Sequence, residues 1–126
     1  MKHLKLFESF SKLGLSIEDV KDLLQDTIDE FNLRPLDRLY ARSYLPDKSN
    51  VDSYQIEYNS SNNNLMGHPM TLDVFIYVNS FTYNSDKFQF YVNEFSSRLR
   101  VMGYNVWVFD NYEENRLCFK QIYIKS

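Results

Sequence analysis

The sequence is poor in the residues that most often mark a chemical function. A single cysteine, Cys118, cannot form a disulfide within the chain, so the fold is not expected to depend on an oxidising compartment. The three glycines are scattered, and this spacing argues against a glycine-rich phosphate-binding loop. His3 and His68 lie far apart in the sequence and far from Cys118, so a zinc site is not expected. We therefore predict neither a metal nor another cofactor.

Long apolar runs and a strong charge are also missing. No stretch approaches the roughly 20 apolar residues of a membrane-spanning helix, and the start of the chain lacks the features of a secretory signal. The net charge of −3 disfavours nucleic acid as a partner, because binding to phosphates depends on lysine and arginine. No pair of carboxylates has a spacing that separates catalysis from an ordinary solvated helix face. We therefore predict that the protein is not an enzyme, and that it acts in a cytosol without membrane contact.

Aromatic residues, in contrast, are abundant, at 17% of the chain with ten tyrosines and ten phenylalanines. The strongest strand pattern in the sequence is Thr71–Asn79, where aliphatic residues alternate with polar and aromatic ones. The aliphatic positions are Leu72, Val74, Ile76 and Val78. Side chains alternate across a strand, so this pattern predicts a half-buried central strand whose aliphatic side faces the core.

Two segments of helical periodicity flank this strand. Residues 16–31 begin at the N-cap candidate Ser16 and carry one apolar stripe. Residues 85–102 carry a second stripe, with Asn84 or Ser85 as the cap and Gly103 as the stop. The stripes are Val20, Leu23, Leu24, Thr27, Ile28 and Phe31 in the first helix, and Phe88, Tyr91, Val92, Phe95, Leu99 and Met102 in the second. Residues 1–15 are predicted to be an amphipathic arm or short helix, and 16–126 a single α+β domain.

Residues 34–45 are compatible with two structures. Their tyrosine content and alternation favour a strand. The helical alternative begins with Pro35 in the first turn and stacks three arginines on one face. These are Arg34, Arg38 and Arg42.

Two hairpins complete the predicted elements. The first joins the segment 34–45 to a strand at 51–58 through a loop at 47–50, and the second joins strands at 104–110 and 116–124. Both are expected to be antiparallel, because the loops are too short for a crossover. We therefore predict an α+β two-layer sandwich, with two main helices on one face of a mostly antiparallel sheet of four to five strands.

A group of aromatic residues is predicted on the other face of this sheet. If Leu72 and its aliphatic neighbours face the helices, Phe75 and Tyr77 face away, and Trp107 and Phe109 share their face when the last hairpin pairs beside the central strand. Three interpretations stay open: burial by another part of the chain, a protein interface, or stacking of nucleic-acid bases. The acidic charge disfavours the third.

The start of the chain, MKHLKLFESF, resembles the start of many small proteins of T4-like and related tailed bacteriophages. The segment IEDVKDLL at 17–24, followed by DEF at 29–31, is similar to a helix common in uncharacterised phage proteins. Those proteins often carry a second helix ending in a phrase like LRVMGY, found here at 99–104. The resemblance covers the first third of the chain and that phrase. It implies a phage source, with the protein in the virion or the host cytoplasm, and no defined activity.

Two functions follow from these observations as hypotheses. The first is a small non-enzymatic phage protein that acts through protein–protein contacts, as a virion component, a self-associating protein or a binder of a host factor. Its contact residues would be Phe75, Tyr77, Trp107 and Phe109. The alternative is a module that binds a small ligand or nucleotide signal, with aromatic residues stacking the ligand. Its anion contacts would be Arg34, Arg38 and Arg42.

Overall fold

Three helices and five strands form in the part of the chain that the structure describes. The fold is taken from a computed structural model, and the described residues are 14–36, 52–59, 71–112 and 117–125. The helices are α1 (Ile17–Phe31), α2 (Ser80–Tyr83) and α3 (Asp86–Val101). The strands are β1 (Arg34–Pro35), β2 (Ser53–Asn59), β3 (Thr71–Asn79), β4 (Asn105–Asn111) and β5 (Leu117–Lys125). The predicted α+β class is confirmed.

The strands form one sheet in the order β1-β2-β3-β5-β4, with β3 at its centre. β3 matches the predicted central strand residue for residue. It pairs antiparallel with β2 on one side and with β5 on the other, and β5 pairs antiparallel with β4. The sheet is therefore mostly antiparallel, as predicted, and the closing hairpin is confirmed.

The antiparallel pairing predicted for the first hairpin is wrong in its described part. β1 pairs with β2 in parallel, with Arg34 opposite Ser53 and Pro35 opposite Tyr54. Parallel pairing needs a connection long enough to bring the chain back to the same end of the sheet. Within the described residues, pairing involves the first residues of the predicted strand, and residues 36–52 connect them to β2. The rest of that segment lies outside the described residues.

Capping serines explain where the two long helices begin, and a glycine explains where α3 ends. Ser16 Oγ accepts a hydrogen bond from the Asp19 N–H, and Asp19 Oδ2 accepts one from the Ser16 N–H, each at 3.1 Å. Ser85 Oγ accepts from the Phe88 N–H at 3.1 Å. α3 ends just before Gly103, whose φ of +101° favours a residue without Cβ. The predicted helix boundaries agree with the observed ones to within one residue.

The single-turn helix α2 was not predicted. Asn79, the last residue of β3, accepts a hydrogen bond on Oδ1 from the Thr82 N–H at 2.8 Å, and this cap starts a helical turn directly at the end of the strand. Four residues are too few to show a hydrophobic period, so the sequence pattern carries no signal for this helix. Its consequence is to bring Tyr83 to a buried position above the sheet.

The two long helices pack on the same face of the sheet, which we call the helix-side face. Both contribute their apolar stripes to one hydrophobic core. The stripe residues buried in that core are Val20, Leu24 and Ile28 from α1, and Phe88, Val92, Phe95 and Leu99 from α3. The β3 residues in the same core are Leu72, Val74, Ile76 and Val78. The predicted orientation of the central strand is therefore confirmed.

The opposite side of the sheet, which we call the second face, is also covered at β3. Every residue from Thr71 to Val78 is buried, so the prediction of a half-buried strand is wrong. The rings of Phe75 and Tyr77 stack with centroids 6.0 Å apart, and Phe119 of β5 lies against both of them. Alternation shows which side of a strand is aliphatic, but it does not report how much cover the other side receives.

Candidate functional site

The strand register places all four predicted contact residues on the second face. Tyr77 lies opposite Phe119 in the β3–β5 pair, and Trp107 lies opposite Tyr123 in the β4–β5 pair. Directly opposed residues share a face, and so do residues two positions apart in one strand. The other two predicted aromatic residues each lie two positions along from these, on the same face.

Exposure divides the second face into two halves. Phe75 and Tyr77 are only 7% and 1% exposed, whereas Trp107 and Phe109 on β4 are 45% and 52% exposed. The Trp107 ring packs on its cross-strand neighbour Tyr123, with centroids 5.6 Å apart. We call Trp107 and Phe109 the aromatic strip. A partner that approaches the second face meets the aromatic strip and does not reach the two central residues.

A second group of interacting residues lies on the helix-side face, beside α2. The Lys120 side chain is 7% exposed, and its Nζ donates to Asp110 Oδ1 at 2.7 Å. The Tyr83 hydroxyl donates to the same oxygen. Lys120 Nζ also lies 5.3 Å from the centre of the Tyr83 ring, within the range of a cation–π contact. A buried ammonium is costly without a partner, and these contacts provide one.

The protonation of this cluster follows from its contacts. Burial raises the pKa of the Asp110 carboxyl, but hydrogen bonds from Lys120 and Tyr83 and the charge of the lysine outweigh it, so this pKa is lowered overall. Burial first, and then the hydrogen bond to the Asp110 carboxylate, raise the pKa of Tyr83 well above its usual value. At neutral pH the cluster therefore combines a charged carboxylate with a protonated phenol, which suits the neutralisation of a buried ammonium.

Sequence reasoning did not single out this cluster. The available signal is Lys120 itself, which alternates with Cys118 and Ile122 on the side of β5 that faces the core. Lysine is almost never fully buried unless it is paired. A lysine at an inward-facing strand position therefore predicts a buried acceptor nearby, although the sequence alone does not identify Asp110.

The geometry of the sheet makes the aromatic strip a candidate contact site. No family model, curated protein or solved structure matches this chain. The resemblance to phage proteins stays a prediction.

A groove of about 280 Å³ lies between α1 and α3. Apolar and charged side chains both line it, including Leu23, Phe90 and Tyr91. Arg98 Nη1 lies 3.6 Å from Asp26 Oδ2, and both side chains are largely exposed, so this ion pair contributes little to stability. The mixed lining does not select one ligand chemistry.

One of the three arginines of the alternative anion site lies within the described residues. Arg34 lies on β1, is exposed, and uses its backbone N–H to donate to the Asp52 carbonyl at 3.0 Å. It stands at the opposite edge of the sheet from the aromatic strip on β4. Arg38 and Arg42 lie outside the described residues. The predicted arginine cluster therefore stays a prediction.

Within residues 14–36, 52–59, 71–112 and 117–125, no group of three or more His, Cys, Asp or Glu side chains is arranged to hold a metal ion. None of the helices in these ranges has the length and apolar character needed to span a membrane.

Proposed function

We propose that this chain is a small non-enzymatic bacteriophage protein that acts through protein–protein contacts made by the aromatic strip on β4. Its place would be the virion or the host cytoplasm. The observation that carries the proposal is the position of Trp107 and Phe109, two large aromatic side chains that are about half exposed on the same face of an edge strand.

Such exposure is costly in a protein that makes no contacts. Tryptophan and phenylalanine bring large apolar areas, and neighbouring exposed aromatic residues on a soluble monomer favour aggregation. The same residue types are enriched at the centres of protein interfaces. The aromatic strip is also supported by the sheet, because the Trp107 ring packs on the Tyr123 ring of the neighbouring strand. Its exposure therefore supports a preformed contact surface.

Charge supports protein over nucleic acid as the partner. The chain has a net charge of −3. The helix-side layer adds Asp22, Asp26 and Asp29 on the exposed side of α1. Acidic groups of this number disfavour a phosphate backbone, whereas they are compatible with a protein partner.

The alternative function, binding of a small ligand or nucleotide signal, would use Arg34, Arg38 and Arg42. No described contact brings Arg34 near an exposed aromatic residue, so the aromatic strip is the better-supported site. A phosphorylated ligand that stabilises a monomeric chain in a thermal melt would favour this alternative.

Site-specific photo-crosslinking tests the proposal. A photoreactive phenylalanine is placed at Phe109, and a control chain carries it at Phe81, which is 87% exposed on α2. In cells that make the protein, we expect position 109 to form a specific adduct with a second copy or another protein, and position 81 to form none. Mass spectrometry identifies the adduct. Equal labelling from both positions, or none from 109, would contradict the proposal.

A further inference from the structure

Backbone hydrogen bonds on one edge of the sheet establish how each strand is oriented. The Arg34 N–H donates to the Asp52 carbonyl at 3.0 Å, and the Leu36 N–H donates to the Tyr54 carbonyl at 2.8 Å. Even-numbered residues of β2 therefore direct their backbone groups toward β1. The backbone N–H and C=O groups of successive residues point alternately to the two neighbouring strands. The backbone groups of odd-numbered residues of β2 therefore point toward β3.

The same alternation continues across the sheet to β4. Between β2 and β3, the residues that exchange backbone hydrogen bonds are therefore the odd-numbered ones. Between β3 and β5 they are the even-numbered ones, and between β5 and β4 they are again the odd-numbered ones. The even residues of β4 therefore direct their N–H and C=O groups away from β5, toward the edge of the sheet. They are Val106, Val108 and Asp110. Arg100 Nη2 donates to the Val106 carbonyl at 3.0 Å, which agrees with this orientation.

Apart from the Arg100 guanidinium at the Val106 carbonyl, the described residues give this edge little of the usual protection of an edge strand. β4 is seven residues long and contains neither lysine nor proline. Among the described strands, none pairs with its outer side. Monomeric proteins commonly protect such edges with lysine, proline, a bulge or a very short strand. An edge that no described strand pairs with, beside two exposed aromatic residues, is a template for another strand.

We propose that β4 pairs with the β4 of a second copy of this chain, antiparallel, about a two-fold axis at Val108. This inference rests on the contact function proposed above and names its partner. The two five-stranded sheets then form one continuous sheet. The aromatic strips of both copies meet on the same face of that sheet.

The register follows from the length of the strand. A two-fold axis at Val108 aligns the whole of Asn105–Asn111 with its copy. It places Trp107 opposite Phe109 of the second copy, and Val106 opposite Asp110 of the second copy. Residues whose backbone groups point to the sheet edge then lie opposite each other, so their N–H and C=O groups form hydrogen bonds between the two copies. A shift by two residues keeps this pattern but shortens the paired length.

Charge complementarity favours the same register. Arg100 lies at the Val106 carbonyl, so it is brought to Asp110 of the second copy, and symmetry repeats this contact at the other end. Lys120 and Tyr83 both donate to Oδ1 of Asp110, whose side chain is 57% exposed. Oδ2 is therefore positioned to accept from the guanidinium of the second copy. The Val106 carbonyl has two lone pairs and accepts the inter-strand bond as well.

Sedimentation velocity of the purified full chain across a wide concentration range tests the dimer. We expect a monomer–dimer equilibrium in the wild type. Arg100→Glu places a carboxylate against Asp110 of the second copy at both ends, so the dissociation constant should rise at least about tenfold. Lys21→Glu makes the same charge change on the exposed side of α1 and should leave the equilibrium unchanged.

Mixing two variants tests the two-fold register. Arg100→Glu and Asp110→Lys each create like-charge contacts in their own homodimers. In a mixed pair, Glu faces Lys at one end and Arg faces Asp at the other. We expect each variant alone to be mainly monomeric and the mixture to dimerise. Each variant is first checked by a denaturant melt, since Asp110→Lys also removes the carboxylate beside Lys120. Trp107→Ser provides a second, uncharged way to weaken the dimer.

The outcomes separate this inference from the function on which it rests. A wild-type chain that stays monomeric while position 109 crosslinks to a different protein would overturn the dimer and support the contact function. A dimer that Arg100→Glu and Trp107→Ser leave unchanged would place the interface elsewhere and overturn the inference. A monomeric chain with no adduct at position 109 would overturn both.

Discussion

Lys120 shows how one buried charge organises its neighbours. The lysine lies on the core side of β5, and the structure surrounds its ammonium with the Asp110 carboxylate and the Tyr83 ring. Asp110 comes from the adjacent strand, whereas Tyr83 is delivered by the short helix α2. The cluster therefore ties α2 to the hairpin formed by β4 and β5.

Asp110→Asn is expected to lower the free energy of unfolding by about 1–3 kcal/mol, because it leaves the Lys120 ammonium buried without a charged acceptor. Lys120→Met removes that ammonium, so the double variant should be less destabilised than the sum of the single ones. A double-mutant cycle by denaturant unfolding measures this coupling. Strict additivity would show that Asp110 and Lys120 do not interact.

The lowered pKa of Asp110 makes this contribution depend on pH. A carboxyl whose pKa is lower in the folded than in the unfolded chain stabilises the fold above its unfolded value, and that stabilisation is lost as pH falls through the folded value. The difference in unfolding free energy between wild type and Asp110→Asn should therefore shrink below about pH 4. Denaturant melts of both proteins at a series of pH values measure it. A difference that grows on acidification would contradict the assignment.

At the scale of the elements, local chemistry explains why most of the fold was predictable. The two long helices carry both an apolar stripe and a serine cap, and the central strand carries a clear alternation, so several signals agree at each. The parts that were missed depend on other features. The helix α2 is too short to show a period, and the parallel pairing of β1 depends on a distant strand and not on its own residues.

The apolar stripes of the helices are directly testable. Leu24 of α1 and Phe95 of α3 are buried mid-helix against the sheet, so Leu24→Ala and Phe95→Ala should each lower the free energy of unfolding by about 2–5 kcal/mol. Phe90→Ala changes an exposed residue of the same helix α3 and should cost less than about 0.5 kcal/mol. Denaturant melts compare the three. Losses below about 1 kcal/mol for both core variants would mean that the stripes do not face the core.

At the scale of the whole molecule, the face of the sheet that carries the candidate site was predictable from the sequence. The exposed fraction of each of its side chains was not. Alternation along β3 and β4, once the last hairpin pairs beside the central strand, places Phe75, Tyr77, Trp107 and Phe109 on one side of the sheet. The division of that side into a buried centre and an exposed edge depends on strand order and on tertiary cover. Neither is written in the local pattern, because β4 and β3 are separated by β5 in space and by α3 in sequence.

The proposed contact function requires Trp107 to lie outside the main core and at a contact surface. The most direct measurement is the native mass of Trp107→Ser alongside its denaturant melt. Since Trp107 is 45% exposed, we expect the variant to unfold within about 1 kcal/mol of wild type while losing the assembly or partner that wild type shows. A variant that fails to fold would place Trp107 in the main core. A variant with unchanged stability and unchanged assembly would remove the aromatic strip from the function.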